Sequence, residues 1–217
     1  AISDITNRPN IDSSYGCAFY PAIQIVDRDS GKNVWVPSSV AGLGAMAQSQ
    51  KASELWFAPA GFNRGGLGAL GGRRGPIAVQ ARQRLDSSQR DDLYDVNINP
   101  IASFPNEGLV IFGQKTLQTS RSALDRINVR RLMIHLKKKI SDIAKLELFN
   151  NNSSALRAKL KNQIERVLSS VKARFRLTGY SVVIDETNNN ADVIDNNRLN
   201  VSIYVKPARA IEYIAID

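Results

Sequence analysis

The chain has 217 residues, 43% of them hydrophobic, 23% charged and 7% aromatic, and 29 Lys/Arg against 20 Asp/Glu give a formal net charge of +9. That mix suits one globular domain, with or without extended arms, and excludes collagen-like, mucin-like and mostly disordered chains. The surplus of base points to an acidic partner surface, and the single cysteine, Cys17, excludes an internal disulfide and a cysteine-based zinc site.

In chain order, short apolar or alternating runs bounded by turn residues predict strands at 23–26, 34–36, 55–58, 109–112, 180–184, 199–205 and 211–216. Asp27, Asp29, Ser30 and Gly31 supply the side-chain acceptors and permissive backbone of a hairpin turn between the first two. Ser38 or Ser39 is a candidate cap for a short helix over 41–48, weakened by Gly42 and Gly44. Residues 61–76 are rich in Gly and Arg without periodicity and predict an irregular loop.

Two long amphipathic helices follow. Val129, Leu132, Met133, Leu136, Ile140 and Ile143 form one apolar stripe, with Asn128 as candidate N-cap and the asparagines at 150–152 as a stop. Leu156, Leu160, Ile164, Val167, Leu168 and Val171 form the second, with Ser153 or Ser154 as cap and Gly179 beyond its end. Strands and helices sharing one chain predict an α/β (α+β) fold, a mixed β-sheet packed with two long helices, plus an extended C-terminal strand arm. The domain reading is one body, 1–206, including the loop 61–76, and a C-terminal linking segment, 207–217.

The charge is localised. Residues 121–176 hold fifteen Lys/Arg and four Asp/Glu, a net of +11, while the remainder holds fourteen against sixteen, a net of −2. Lys137, Lys138, Lys139, Arg157, Lys159 and Lys161 fall largely outside the apolar stripes, so these helices present either a solvated basic face or an electrostatic docking face. At the C-terminus, Ile211, Tyr213, Ile214 and Ile216 belong to a nearly all-apolar run, which suits either a strand of the chain's own sheet or an arm added to a neighbour's sheet edge.

No catalytic chemistry stands out. The string Gly66, Gly68, Gly71 matches G-x-G-x-x-G, but Gly72, Gly75 and Pro76 follow it where a dinucleotide site needs a helix to open. His135 lies inside the first long helix with no carboxylate in its own turn, and the acid pairs Asp91–Asp92 and Asp185–Glu186 have the character of turn and surface groups. Cys17, beside Tyr15, Phe19 and Tyr20, has the character of a core residue. Catalytic, metal and cofactor sites are therefore not expected. Nor is membrane insertion, since no run approaches the ~18 apolar residues of a spanning helix. A basic nucleic-acid-binding protein of phage or bacterial origin is the alternative reading, but Phe149 and Phe175 alone interleave with the basic helices, so a base-stacking platform is missing.

An ordered series of motifs gives the chain a specific resemblance. Residues 15–21, the turn 27–32, Val36-Pro37-Ser38, Val40-Ala41-Gly42 and the run from Trp56 to Gly61 come first. Val96-Asn97-Ile98-Asn99, Ile111-Phe112-Gly113, Lys115-Thr116-Leu117, the run from Ile127 to Leu132, and Asp185 to Asn189 follow. In order and spacing this resembles the contractile tail sheath proteins of myoviruses; the Gly/Arg-rich 61–76 and Gly42 to Ala45 are departures. The resemblance implies a non-enzymatic subunit of hexameric rings stacked around a tail tube, which contracts to drive the tube through the host envelope. It further implies contacts with identical subunits, the tail tube, baseplate and tail terminator proteins, and a place in the virion after assembly in host cytoplasm. On that reading Lys137, Lys138, Lys139, Arg157, Lys159 and Lys161 face the tube, Ile211, Tyr213, Ile214 and Ile216 form the inter-subunit strand, and the start at Ala1 reflects upstream domains.

Overall fold

The structure is a computed structural model describing residues 11–27, 29–68, 78–174, 176–210 and 212. The chain divides into two compact units, one ending at Leu132 and the other beginning at Met133. The first holds β1 (Ala18–Tyr20), β2 (Ile23–Val26), β3 (Asn33–Val36), α1 (Ser38–Ala52), β4 (Ala78–Ala81), α2 (Ser87–Asp95), β5 (Ile98–Phe104) and β6 (Gly108–Ile111). Helix α3 (Ile127–Lys145) opens in this unit and ends in the second, which continues with α4 (Ser154–Ala173), β7 (Leu177–Val183), α5 (Ala191–Asp195) and β8 (Ser202–Pro207).

The α/β character and the two long consecutive helices match the sequence reading, with the strands divided among three small sheets. β5 is central to the first, parallel to β1 and antiparallel to β6. β2 is central to the second, antiparallel to both β3 and β4. β7 and β8 form an antiparallel pair in the second unit. The first unit's main core joins both of its sheets to α1: Ile23, Ala41, Ala45, Leu67, Ala78, Ile101, Leu109 and Ile111 are buried together. In the second unit α4 packs on β7, burying Leu160, Ile164, Leu168 and Val171 at three- and four-residue spacing.

The hairpin over 27–32 forms as expected: Gly31 takes a positive φ of 67°, and its N–H donates to Asp27 O at 2.9 Å. Helix α1 is longer than 41–48, and neither serine caps it. Pro37 occupies the N-cap position without a side-chain bond, and Ser38 Oγ donates to the Phe19 carbonyl at 2.6 Å. Gly42 is tolerated there because a Cβ would stand 2.4 Å from the Phe19 ring. Helix propensity at that position yields to close packing.

Residues 55–58 are not a strand. They form turns in which Trp56 is buried and Arg64 stacks on Phe57 at 4.4 Å. Asn128 is not the cap of α3 but lies inside its first turn, buried. Ser153 does cap α4, accepting from Leu156 N at 3.2 Å. Gly179 lies beyond the end of α4, as expected, in β7 at a register shift, and residues 199–201 precede β8 instead of joining it. The described part of the glycine-rich segment runs beside β6, where Leu67 N donates to Leu109 O at 2.8 Å and Gly66 bridges Val110. That is extended backbone, not the helix start a dinucleotide site needs.

Candidate functional site

Helix α3 is anchored before its basic face begins. Ile127 N donates to Gln114 O at 2.8 Å, and Thr116 N donates to Asp125 O at 2.9 Å, so the preceding loop docks on the helix entrance. Arg130 stacks over Tyr15 at 4.1 Å from the ring centroid and donates to Ser14 Oγ. Arg131 donates to the Met46 carbonyl at 3.2 Å and approaches Gln50 Oε1 at 3.5 Å, tying α3 to α1. Burial holds the Arg131 guanidinium below its ordinary pKa. These two arginines contribute to the sequence's basic segment, but they serve the first unit's packing.

Two turns further on, Lys137, Lys138 and Lys139 are all exposed, and none has a hydrogen-bond or ion-pair partner among the described residues. Three successive positions at about 100° each fan over more than half of a helix circumference. His135 nearby is half-buried; burial first, then the Lys139 charge, pushes its pKa below 6.5 and favours the neutral ring.

The three predicted cations on α4 are placed differently. Lys159 Nζ lies 2.8 Å from Glu147 Oε1, and the glutamate side chain is only 7% exposed. Lys161 is half-buried and contributes to the electrostatic environment of Asp185. Arg157 is half-buried with its Nε enclosed. Of the six predicted residues, the lysine triplet is therefore an open basic surface without partners, while Lys159, 58% exposed at its side chain, is committed to an ion pair with Glu147. Ile211, Tyr213, Ile214 and Ile216 lie outside the described residues.

Sequence reasoning missed the buried amides. Asn99, fully buried in β5, donates through Nδ2 to Ala18 O at 2.9 Å and Lys115 O at 2.8 Å, and accepts from Lys115 N at 2.6 Å. Asn189 accepts from Asn200 N at 2.7 Å and donates to Asn200 O at 2.9 Å and Asp185 O at 3.3 Å. Asn188 Nδ2 adds a bond to Val183 O at 2.7 Å. Both brackets fall within the motif series, so several of the residues that carry the resemblance stitch backbone segments together. A polar residue between apolar neighbours, such as Asn99 between Ile98 and Pro100, was the available signal. Among the described residues no group of three or more metal-type ligands gathers.

Over 95% of its length the chain shares its fold with 56% of a chain in the PVC sheath complex of an extracellular contractile injection system in the contracted state, with a TM-score of 0.81 and 20% identity. The two chains thus share one architecture. Residues 119–217 match the phage tail sheath C-terminal domain, and this part of the chain belongs to that family. Similarity extends further toward the N-terminus in two curated relatives. The tail sheath protein of Vibrio phage KVP40 is 40% identical over 88% of this chain, and that of Enterobacteria phage T4 is 35% identical over 97%. The chain spans 27% and 31% of the lengths of those two proteins.

Proposed function

We propose that this chain is the inner, assembly-forming portion of a contractile phage tail sheath subunit, which polymerises as hexameric rings around a tail tube and contracts to drive the tube through the host envelope. The observation that carries the reading is the 35–40% identity to two phage tail sheath proteins over nearly the whole chain, together with the family match of residues 119–217. The role is structural rather than enzymatic. Its partners are identical subunits, the tail tube, and the baseplate and tail terminator proteins, and its place is the virion after assembly in host cytoplasm.

The lysine triplet on α3 is the proposed tube-facing surface, together with Arg157 and Lys161 on the next helix and Lys159 acting through its pair with Glu147. Exposed charge pairs contribute only about 0–1 kcal/mol each and weaken with salt, which suits a contact that must hold the extended state and then release. Residues 207–217 are the proposed linking arm, with Ile211, Tyr213, Ile214 and Ile216 pairing along a neighbour's sheet edge. Contraction draws on the metastability of the assembled lattice.

Electron microscopy of the subunit that carries this chain, expressed with its tube protein, tests the reading. Rings or tubes of stacked rings are expected. Only dispersed particles, together with salt-sensitive retention of DNA or RNA on filters, would overturn it in favour of nucleic-acid binding.

A further inference from the structure

The exposed face of α3 is not purely basic. At about 100° per residue, Ile134, Lys138 and Lys145 fall within about 40° of one line along the helix, and Lys139 and Leu146 within about 20° of a second. Ile134 is 46% exposed and Leu146 80%, so apolar side chains stand in water at both ends of the lysine triplet. Lys145 pairs with Asp142 at 3.8 Å, so the charge left unmatched on this face is that of Lys137, Lys138 and Lys139.

The turn into α4 continues the apolar part. Leu148 is 62% exposed and Phe149 fully exposed, whereas the Glu147 side chain between Leu146 and Leu148 is 7% exposed. Phe149 has a φ of 69°, a conformation that glycine adopts freely and a bulky residue does not. Folding alone would favour glycine there, since the fully exposed ring shields nothing in the described fold. The turn is nonetheless braced: Glu147 pairs with Lys159 and accepts from Asn150 Nδ2 at 3.1 Å, and Asn152 Nδ2 donates to Arg198 O at 3.2 Å. A braced turn that holds apolar side chains in water is built for a protein contact.

Exposed charges steer a partner and fix its register more than they hold it. Firm interfaces centre on an apolar or aromatic anchor ringed by polar groups. We propose that Leu146, Leu148 and Phe149, with Ile134 at the far end of the lysines, are the apolar anchor of the contact that Lys137, Lys138 and Lys139 make. The occupant is the tail tube, through an acidic surface with an apolar depression that receives Phe149. This rests on the tube-facing role proposed for the lysine triplet and extends it, because lysines and anchor share one continuous exposed face.

Co-sedimentation of the subunit that carries this chain with preformed tubes of its tube protein, from about 0.05 to about 1 M sodium chloride, separates the two parts. The charged part fades with salt and the apolar part persists. The parent is expected to keep a salt-resistant fraction on the tubes. Phe149→Ser and Phe149→Gly should each lower the high-salt affinity about tenfold or more, although Phe149→Gly melts no lower than the parent. Changing all three lysines to Gln should flatten the salt dependence and leave the resistant fraction. A benzoylphenylalanine at position 149 is expected to cross-link to the tube protein on irradiation. Cross-linking to a second sheath subunit instead, or loss of ring formation by Phe149→Ser in the absence of tubes, would assign the turn to a subunit contact and overturn the anchor. Complete release of the parent by salt, or high-salt retention of Phe149→Gly equal to the parent's, would also overturn it and leave the sheath reading standing. A parent that neither forms rings nor sediments with tubes would remove both.

Discussion

Gly42 shows how a single missing methyl group sets the position of a helix. Alanine there gains up to about 1 kcal/mol in helix propensity, but its Cβ would lie 2.4 Å from the Phe19 ring. Overpacking of a filled core costs about 1–3 kcal/mol, so Gly42→Ala is expected to lose about 1 kcal/mol net by urea denaturation, with Phe19→Leu restoring most of it. Asn189 is the buried counterpart on the polar side. Asn189→Ala removes the bonds that this buried amide makes to Asn200 N, Asn200 O and Asp185 O, and a loss of about 1–3 kcal/mol is expected. The neighbouring cap Asn190, whose side chain accepts from Val193 N, is expected to cost about 1 kcal/mol when replaced by Ala.

The same turn carries a pH dependence of defined sign. The Thr187 hydroxyl first, and then the Thr187 N–H, hold the Asp185 carboxyl below its ordinary 3.8. A lowered carboxyl pKa contributes stability that is present above 3.8 and lost as the pH falls through the folded value. Carboxyl NMR titration should show Asp185 protonating below 3.8, and Thr187→Val should raise its midpoint toward the ordinary value. An unchanged midpoint would remove the Thr187 hydroxyl as the cause.

At the scale of elements, the basic helices separate into cations that hold the fold and cations that face outward. Arg130 and Arg131 tether the opening of α3 to Tyr15, Ser14 and α1. Lys159 neutralises a buried glutamate at the exit of the same helix. Lys159→Met should therefore cost about 1–3 kcal/mol, because it leaves the Glu147 carboxylate desolvated with only Asn150 for a partner. Lys138→Met, on an exposed position with no partner, should stay within about 0.5 kcal/mol. Equal losses for the two lysines in thermal melts would contradict this division of labour.

At the scale of the whole molecule, the proposed tube contact predicts that simultaneous reversal of Lys137, Lys138 and Lys139 to Glu leaves the monomer folded. Such reversal should loosen the sheath from the tube or favour premature contraction, visible as contracted or empty sheaths in micrographs, and added salt should act in the same direction on the parent protein. Unchanged tube-templated assembly would remove the triplet from the interface. The proposed arm yields a separate test. Pro207 still pairs with Leu177, and Ala208 N donates to Arg176 O at 2.8 Å, so a truncation that spares the β7–β8 hairpin begins after Ala208. Removing residues 209–217 should abolish polymerisation while the circular dichroism spectrum is retained.

The linear order of residues determined what depends on near neighbours. The 3.6-residue apolar stripes announced α3 and α4, the Asp27–Gly31 turn announced the β2–β3 hairpin, and the charge count localised the basic surface. Ordered motifs were enough for the sheath resemblance. Other elements depend on partners far away in sequence. β5 was hidden by Pro100, which lacks an N–H for the ladder, yet the strand is central because β1 and β6 flank it. The run 55–58 has strand composition but buries Trp56 in a turn. Only the tertiary structure decided which lysines are free, since a charge's worth depends on what folds against it. Glu147 claims Lys159 as its ion-pair partner, whereas nothing among the described residues claims Lys137, Lys138 or Lys139.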